Sequence, residues 1–199
     1  MQFSIEKRYR KLFILVSVIL ILIGGILTYY FIYLYNPEKN INYPSITPIK
    51  QNESILDPKI LEFGLKIEKI GVLAPIIKDV DGSKKSAYNK ALLQGVAHYK
   101  GTALPGGNSN IFIFGHSSCL LGKGDYCKIF EKLNDLQKGD KVIVYLKNQE
   151  YTYEVSSKKV VKNTDISVLN PTKQEQLTLM TCWPIGSNLK RLIVVAKKV

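Results

Sequence analysis

The sequence predicts a mainly β domain that closes, or nearly closes, into a barrel and is preceded by one N-terminal transmembrane helix. Many short alternating or β-branched runs follow residue 60 and are separated by turn signals, whereas few segments have helical periodicity. An uncharged apolar stretch lies near the N-terminus. Numerous short strands with few helices favour a closed sheet over a helical fold.

The apolar stretch covers residues 12–34, which is 23 residues without a charged side chain. At a rise of about 1.5 Å per residue, a helix of that length crosses a hydrocarbon core of about 30 Å. Four basic residues lie within residues 1–11, so the positive-inside rule predicts a cytoplasmic tail there and an extracytoplasmic C-terminal domain at the cell membrane. A cleaved signal peptide is the alternative, but the stretch is long for one and no small-residue cleavage site follows.

Residues 35–60 contain four prolines among Asn, Ser and Lys, which predicts an extended extracytoplasmic linker. The outer domain is expected at 61–199. Its strands are predicted near residues 63–70, 72–77, 110–115, 141–147, 151–161, 176–182 and 191–197. Two short helices are predicted, at 84–93 and at 127–136. The first segment has an apolar end, and the apolar side chains of the second fall on one helical face.

The composition narrows the classes of function. The net charge of +12 suits contact with nucleic acid, anionic lipid or polyanionic polymer, although a lysine-rich background explains the same charge. No nucleic-acid-binding motif occurs, so we expect no nucleic-acid partner. Because the Cys and His residues lack CxxC or HxxxH spacing and no Gly-rich phosphate loop occurs, we expect no cofactor. Nothing points to a calcium site built from scattered Asp and Glu.

Cys182 ends the apolar run at 177–182 and is the first candidate for chemistry. A strand that stops at a cysteine exposes the sulfur at the rim of a sheet, where a substrate can reach it. A buried cysteine that packs as a small hydrophobic residue is the alternative. Strand position alone leaves the two interpretations evenly matched.

Arg191 favours the chemical interpretation. It is the only arginine after residue 10, in a chain that otherwise uses lysine for positive charge. The loop at 183–188 joins two predicted strands, so the return strand brings Arg191 back beside Cys182. A guanidinium carries a rigid fork of donors and can stabilise an oxyanion.

His116 follows the apolar strand at 110–115, and Gly115 gives the backbone freedom to turn there. A histidine at a strand rim can act as general acid and base near neutral pH. His98 is the rival, but it lies between a predicted helix and a loop, where a structural or substrate-contacting role suits it. We therefore prefer His116 as the catalytic histidine.

The chain has three cysteines in total. An odd number outside the cytoplasm suggests one disulfide and one free thiol. Cys119 and Cys127 are close in sequence and can pair, which leaves Cys182 free; two unpaired thiols at 119 and 127 are an equal alternative.

These residues resemble the sortase family of Gram-positive cell-wall cysteine transpeptidases. The segment TLMTC at 178–182 fits the TLxTC motif of that family, and Arg191 and His116 stand where its catalytic arginine and histidine are expected. The segments at 67–72 and 133–140 are similar to its first core strand and to a helix-to-strand turn. The Cys-Trp-Pro continuation at 182–184 resembles class D or related subfamilies.

The resemblance implies an eight-stranded barrel and a two-step transpeptidation. Cys182 would attack the Thr–Gly carbonyl of an LPXTG-type sorting signal on a surface protein, and Arg191 would stabilise the oxyanion. His116 would protonate the leaving amine and then activate an amine of a cell-wall precursor. We expect His98, Thr181 and Trp183 to be candidate contacts for the substrate. A Cys119–Cys127 pair is not a general feature of the family.

Three alternatives remain from the sequence. Water can resolve the same thioester, which makes the protein a thiol protease. A pilin lysine can be the acceptor, which makes it a pilin polymerase. A non-catalytic barrel that binds wall polymer through its positive charge is the remotest of the three.

Overall fold

A computed structural model of the chain describes residue 16 and residues 19–31, 56–120 and 123–199. The chain divides into two compact units, Met1–Ser54 and Ile55–Val199. In the first unit, residues 19–31 are helical and exposed. Within the described part of the chain, no helix is both long enough and apolar enough to span a membrane. The predicted tail at 1–11 and parts of the predicted span and linker lie outside the described residues.

The second unit is a closed barrel of eight strands in the order β1-β2-β3-β4-β7-β8-β6-β5. The strands are β1 Phe63–Ile67, β2 Val72–Val80, β3 Val96–Tyr99, β4 Asn110–Phe114, β5 Lys141–Leu146, β6 Gln149–Lys162, β7 Gln176–Trp183 and β8 Lys190–Lys198. Helices α1 Pro58–Glu62 and α2 Lys85–Leu92 accompany them, with 3-10 turns at Glu68–Ile70, Leu133–Asp135 and Ser167–Leu169. The mainly β class, the closed barrel and the few short helices are confirmed.

Strand β3 is the one that the sequence patterns did not predict. It has only four residues, Val96–Tyr99, and its first three are buried whether polar or apolar. A fully buried strand that short has no alternation to detect. It pairs in parallel with β2 and antiparallel with β4. His98 therefore lies within the sheet and not in a loop.

The predicted helix at 127–136 is wrong. The segment forms successive turns in which a backbone N–H bonds the carbonyl three residues back, for example Glu131 N to Lys128 O at 2.9 Å and Asp135 N to Lys132 O at 2.9 Å. Three-residue turns place side chains at i and i+3 on one side. Phe130, Leu133 and Leu136 are buried with that spacing. The apolar face is real, but its period is that of turns.

Two parts of the topology bring distant residues to one end of the barrel. Strands β4 and β7 are parallel, and Phe114 pairs with Met180, so both strands end at the same rim. Strands β7 and β8 are antiparallel, and the register pairs Cys182 with Arg191. Segments near residues 115, 182 and 191 therefore meet at this rim.

Two hydrophobic clusters stabilise this arrangement. The larger fills the barrel interior and includes Leu177 and Leu179 of β7. The smaller lies on the outer face of the sheet, where Ala91 and Leu92 of α2 pack against Phe112 and Phe114 of β4. Because each strand alternates its two faces, one set of side chains fills the barrel while the other supports α2.

Candidate active site

Cys182 lies on the outer face of β7, near the end of the strand. Leu177 and Leu179 point into the barrel core, so the two-residue period turns Met180 and Cys182 outward. The cysteine is half-buried, and it is the free thiol among the described cysteines. The geometry favours an accessible sulfur over a packed one.

Arg191 is directly opposite Cys182 in the register of β7 and β8. Side chains of directly paired residues lie on the same face of an antiparallel sheet, so the guanidinium and the thiol share the outer surface. Its Nη1 donates hydrogen bonds to the backbone oxygens of Asn188 at 3.0 Å and Lys190 at 2.9 Å. These two bonds hold the guanidinium beside the β7–β8 loop.

His116 immediately follows the end of β4. The Gly115 N–H donates to Met180 O at 3.1 Å, which extends the parallel contact with β7 by one residue, and the Phe130 N–H donates to His116 O at 2.9 Å. Burial lowers the pKa of His116 below its ordinary value. The imidazole therefore favours its neutral form more than an exposed histidine does.

Gly115 is required by close packing. A Cβ at this position would lie 2.9 Å from Phe130 Cδ2 and 3.0 Å from Ile129 Cγ2. The segment at 127–136 thus presses against the turn that carries His116. The sequence suggested that this glycine supplies conformational freedom, but the structure gives a steric reason.

Thr181 is 2% exposed, and its Oγ1 donates a hydrogen bond to Gly115 O at 2.8 Å. This bond ties the residue before Cys182 to the residue before His116. Thr181 was predicted as a candidate contact for the substrate. Its hydroxyl bonds within the protein and joins the two strand ends.

The three candidate side chains line one cleft of about 390 Å³. One wall is a face of helix α2. The residues that form it follow Lys85 at three, four and seven positions along the chain. The floor of the cleft is aromatic and apolar. The lining residues are Gly82, Lys85, Tyr88, Asn89, Leu92, Tyr99, Phe114, Gly115, His116, Met180, Thr181, Cys182, Asn188 and Arg191. The α2 wall was not predicted as part of the site, although the helical spacing of its residues is visible in the segment at 84–93.

His98 does not line this cleft, and its side chain is fully buried. Its Nδ1 accepts a hydrogen bond from the Asp79 N–H at 3.3 Å, and its Nε2 lies 3.0 Å from both Ala103 O and Thr102 Oγ1. Burial lowers its pKa, which outweighs the opposing effects of the Ala103 carbonyl and the Asp79 carboxylate. We assign a neutral ring protonated at Nε2, because this tautomer satisfies both sets of partners. These contacts hold the ring within the sheet.

Trp183 and the two remaining cysteines lie outside the cleft lining. The two-residue period turns Trp183 to the opposite face from Cys182, and its ring packs partly against the barrel core. Cys119 and Cys127 form a disulfide with a Cα–Cα distance of 4.8 Å in the loop after His116. That loop contacts the β7–β8 loop, since a Cβ on Gly186 would lie 3.1 Å from Leu120 Cδ1. Among the described residues, no group of His, Cys, Asp and Glu is arranged to hold a metal ion.

The fold and the site together define a class: an eight-stranded barrel with a thiol, an imidazole and a guanidinium around one external cleft. Residues 65–199 match the sortase domain, and the chain belongs to the sortase family.

Three similar proteins place the chain within this family. Sortase D of Bacillus subtilis strain 168 is 32% identical over 139 residues, which cover 68% of this chain and 62% of that protein. The chain thus spans less than two thirds of the length of this curated relative. The solved structure of a Clostridium perfringens sortase D5 transpeptidase has a TM-score of 0.57 and 29% identity, covering 69% of this chain and 78% of that one. A pilus-related sortase C of Group B Streptococcus has a TM-score of 0.59 and 29% identity, covering 79% and 77%.

Proposed function

We propose that the barrel is a cysteine transpeptidase. It cleaves an LPXTG-like sorting signal of a surface protein between Thr and Gly, and it joins the acyl product to an amine of a cell-wall precursor. The observation that carries this proposal is the direct pairing of Cys182 with Arg191 across β7 and β8, in the cleft that His116 also lines. Family membership and the similarity to a protein described as a transpeptidase support it.

The first half-reaction forms a thioester on Cys182. The sulfur attacks the carbonyl carbon of the signal threonine while His116 takes the thiol proton. Negative charge develops on the carbonyl oxygen, and the Arg191 guanidinium stabilises it. When the C–N bond breaks, His116 returns the proton to the departing glycine nitrogen.

The second half-reaction transfers the acyl group. An incoming amine attacks the thioester carbon, and His116 removes the proton that this nitrogen must lose. Collapse of the second tetrahedral intermediate forms the new amide bond and releases the Cys182 sulfur, which recovers the proton. The net reaction exchanges one amide for another and requires no redox partner.

Incubation of the full chain with an LPXTG peptide, with and without an added amine, tests the proposal. We expect a mass corresponding to the amide adduct when the amine is present and no turnover by the Cys182→Ala variant. Turnover that is identical in rate and product without the amine would identify a hydrolase. Turnover that survives in Cys182→Ala would show that Cys182 is not the nucleophile and refute the proposal.

The acceptor has a second candidate. Similarity to a pilus-related sortase C favours testing a lysine side chain of a pilin as the amine. Competition between a wall-peptide amine and a pilin lysine peptide distinguishes the two, because the preferred acceptor gives the dominant adduct.

Similarity to sortase D and to sortase D5 supports assignment to class D.

The proposed location is the cell membrane, with residues 1–11 in the cytoplasm, one span at 12–34 and the barrel outside. The support is the uncharged stretch and its preceding basic residues. Protease treatment of intact protoplasts tests this topology, since an external barrel is digested while a cytoplasmic one is protected.

A further inference from the structure

Among the described residues, the cleft is lined by cationic side chains and by no acidic one. Its lining includes Lys85 and Arg191, and no described Asp or Glu is part of it. The cleft is therefore electropositive, and it favours anionic groups of a ligand.

Arg191 and Lys85 are held at different parts of this cleft. The register of β7 and β8 keeps Arg191 opposite the nucleophile. Lys85 begins helix α2, and it lines the cleft together with Tyr88, Asn89 and Leu92. This face passes from buried at Leu92 to exposed at Lys85. The wall therefore offers an apolar end and a cationic end.

Lys85 is not neutralised by the carboxylates of the described residues. The nearest acidic residue in sequence, Asp81, forms an ion pair with Lys84 at 3.5 Å, and none of the ion pairs within the described part of the chain involves Lys85. The Asp81 carboxylate also accepts hydrogen bonds from Ser83, whose hydroxyl holds the pKa of Asp81 below its usual value. Adjacent lysines thus differ: Lys84 is paired outside the cleft lining, and Lys85 faces the cleft unpaired.

We propose that Lys85, with Asn89 one turn further along α2, recognises a carboxylate side chain of the donor peptide. Because Arg191 serves the oxyanion, the Lys85 ammonium is the cation left to bind a second anion. The inference rests on the proposed function and narrows its substrate: a sorting signal with an Asp or Glu in the open position of the LPXTG-like motif or next to the motif.

The expected preference is moderate, because Lys85 is exposed. Exposed ion pairs contribute little to the free energy of binding, and charge-assisted hydrogen bonds contribute more. Together they predict about a five- to tenfold higher kcat/KM for an acidic peptide than for its amide counterpart. Salt screens such a pair, so the preference decreases as ionic strength rises. The difference appears mainly in KM, since Lys85 does not contact the reacting atoms.

The experiment compares peptide pairs that differ only in charge, Glu against Gln and Asp against Asn, at the open position and at each flanking position. Wild-type chain is assayed beside Lys85→Gln, Lys85→Glu and the control Lys84→Gln, with a thermal melt of each variant. We expect wild type and Lys84→Gln to prefer one acidic peptide. Lys85→Gln should lose this preference, and Lys85→Glu should reverse it.

Three results would overturn the inference. If wild type processes the paired peptides equally at every position, the cleft does not select a carboxylate, although the proposed transpeptidase remains. If Lys84→Gln loses the preference as fully as Lys85→Gln, the effect is one of general surface charge. If wild type processes none of the peptides under any condition, the proposed function itself fails and this inference fails with it.

Discussion

Replacing Thr181 with valine removes one hydrogen-bond donor and keeps the shape of the side chain. The lost bond joins Thr181 Oγ1 to Gly115 O at 2.8 Å in a buried environment. A buried carbonyl that loses its donor costs about 1–3 kcal/mol. For a domain of this size, that cost lowers Tm by about 3–10 °C.

The effect on activity should exceed the effect on stability. Gly115 is adjacent to His116, so a carbonyl that turns to find another donor also moves the imidazole. Misplacement of a catalytic group by about 1 Å can reduce the rate by about 100-fold. We therefore expect kcat/KM of Thr181→Val to fall by about 10- to 100-fold, chiefly through kcat.

An internally quenched LPXTG peptide measures kcat and KM, and a thermal melt measures stability. Thr181→Ser is the matched control, because it retains the hydroxyl and should keep most of the activity. Wild-type kcat in Thr181→Val would refute the reasoning. Equal losses in the serine and valine variants would show that activity is sensitive to any change at this position and would not assign the effect to the hydrogen bond.

Three further predictions concern stability and pH. Glu175→Gln should destabilise the barrel by about 1.5–3 kcal/mol in a denaturant titration, because the buried Glu175 carboxylate accepts hydrogen bonds from Gly106, Tyr153 and Lys198; unchanged stability would contradict this role. Burial lowers the pKa values of both histidines below their ordinary value of 6.5, so the unfolded chain binds protons more readily. The free energy of unfolding should decrease as pH falls below about 6.5, and replacing both histidines with glutamine should flatten that dependence. Replacing both disulfide cysteines with serine removes the covalent link between two residues that are eight positions apart. The unfolded chain then gains entropy, so the free energy of unfolding should fall by about 2–3 kcal/mol in a thermal melt, with kcat measured alongside.

The sequence predicted most of the barrel because alternation survives wherever one strand face is buried and the other is not. It failed at Val96–Tyr99, where burial on both faces leaves no period. It also failed at 127–136, where apolar residues three apart fit a helix and a series of turns equally well. In both segments the decisive information was the hydrogen-bond partner, which one-dimensional periodicity does not contain.

The candidate site, too, could be predicted from the sequence only in part. Strand position identified Cys182 and His116, and scarcity identified Arg191; the structure brings all three into one cleft, while their catalytic roles stay a proposal. The contact between Thr181 and Gly115 joins residues 66 positions apart, so only the parallel pairing of β4 and β7 reveals it. His98 was given a structural or substrate-contacting role from its position between a predicted helix and a loop, because its strand was not recognised.

Closure of the barrel limits how a peptide can be recognised. Each of the eight strands has a neighbour on both sides, so the described barrel offers no open strand edge to an incoming chain. Many peptide-binding proteins gain affinity by adding the ligand as an extra strand of a sheet. The hydrogen bonds then form with the peptide backbone, so varied peptide sequences are tolerated. A closed barrel lacks that sequence-independent contribution, and its selectivity must come from side chains on the outer wall. If α2 contacts the donor peptide as proposed, substitutions on this helix change the selectivity and leave the barrel hydrogen bonds intact.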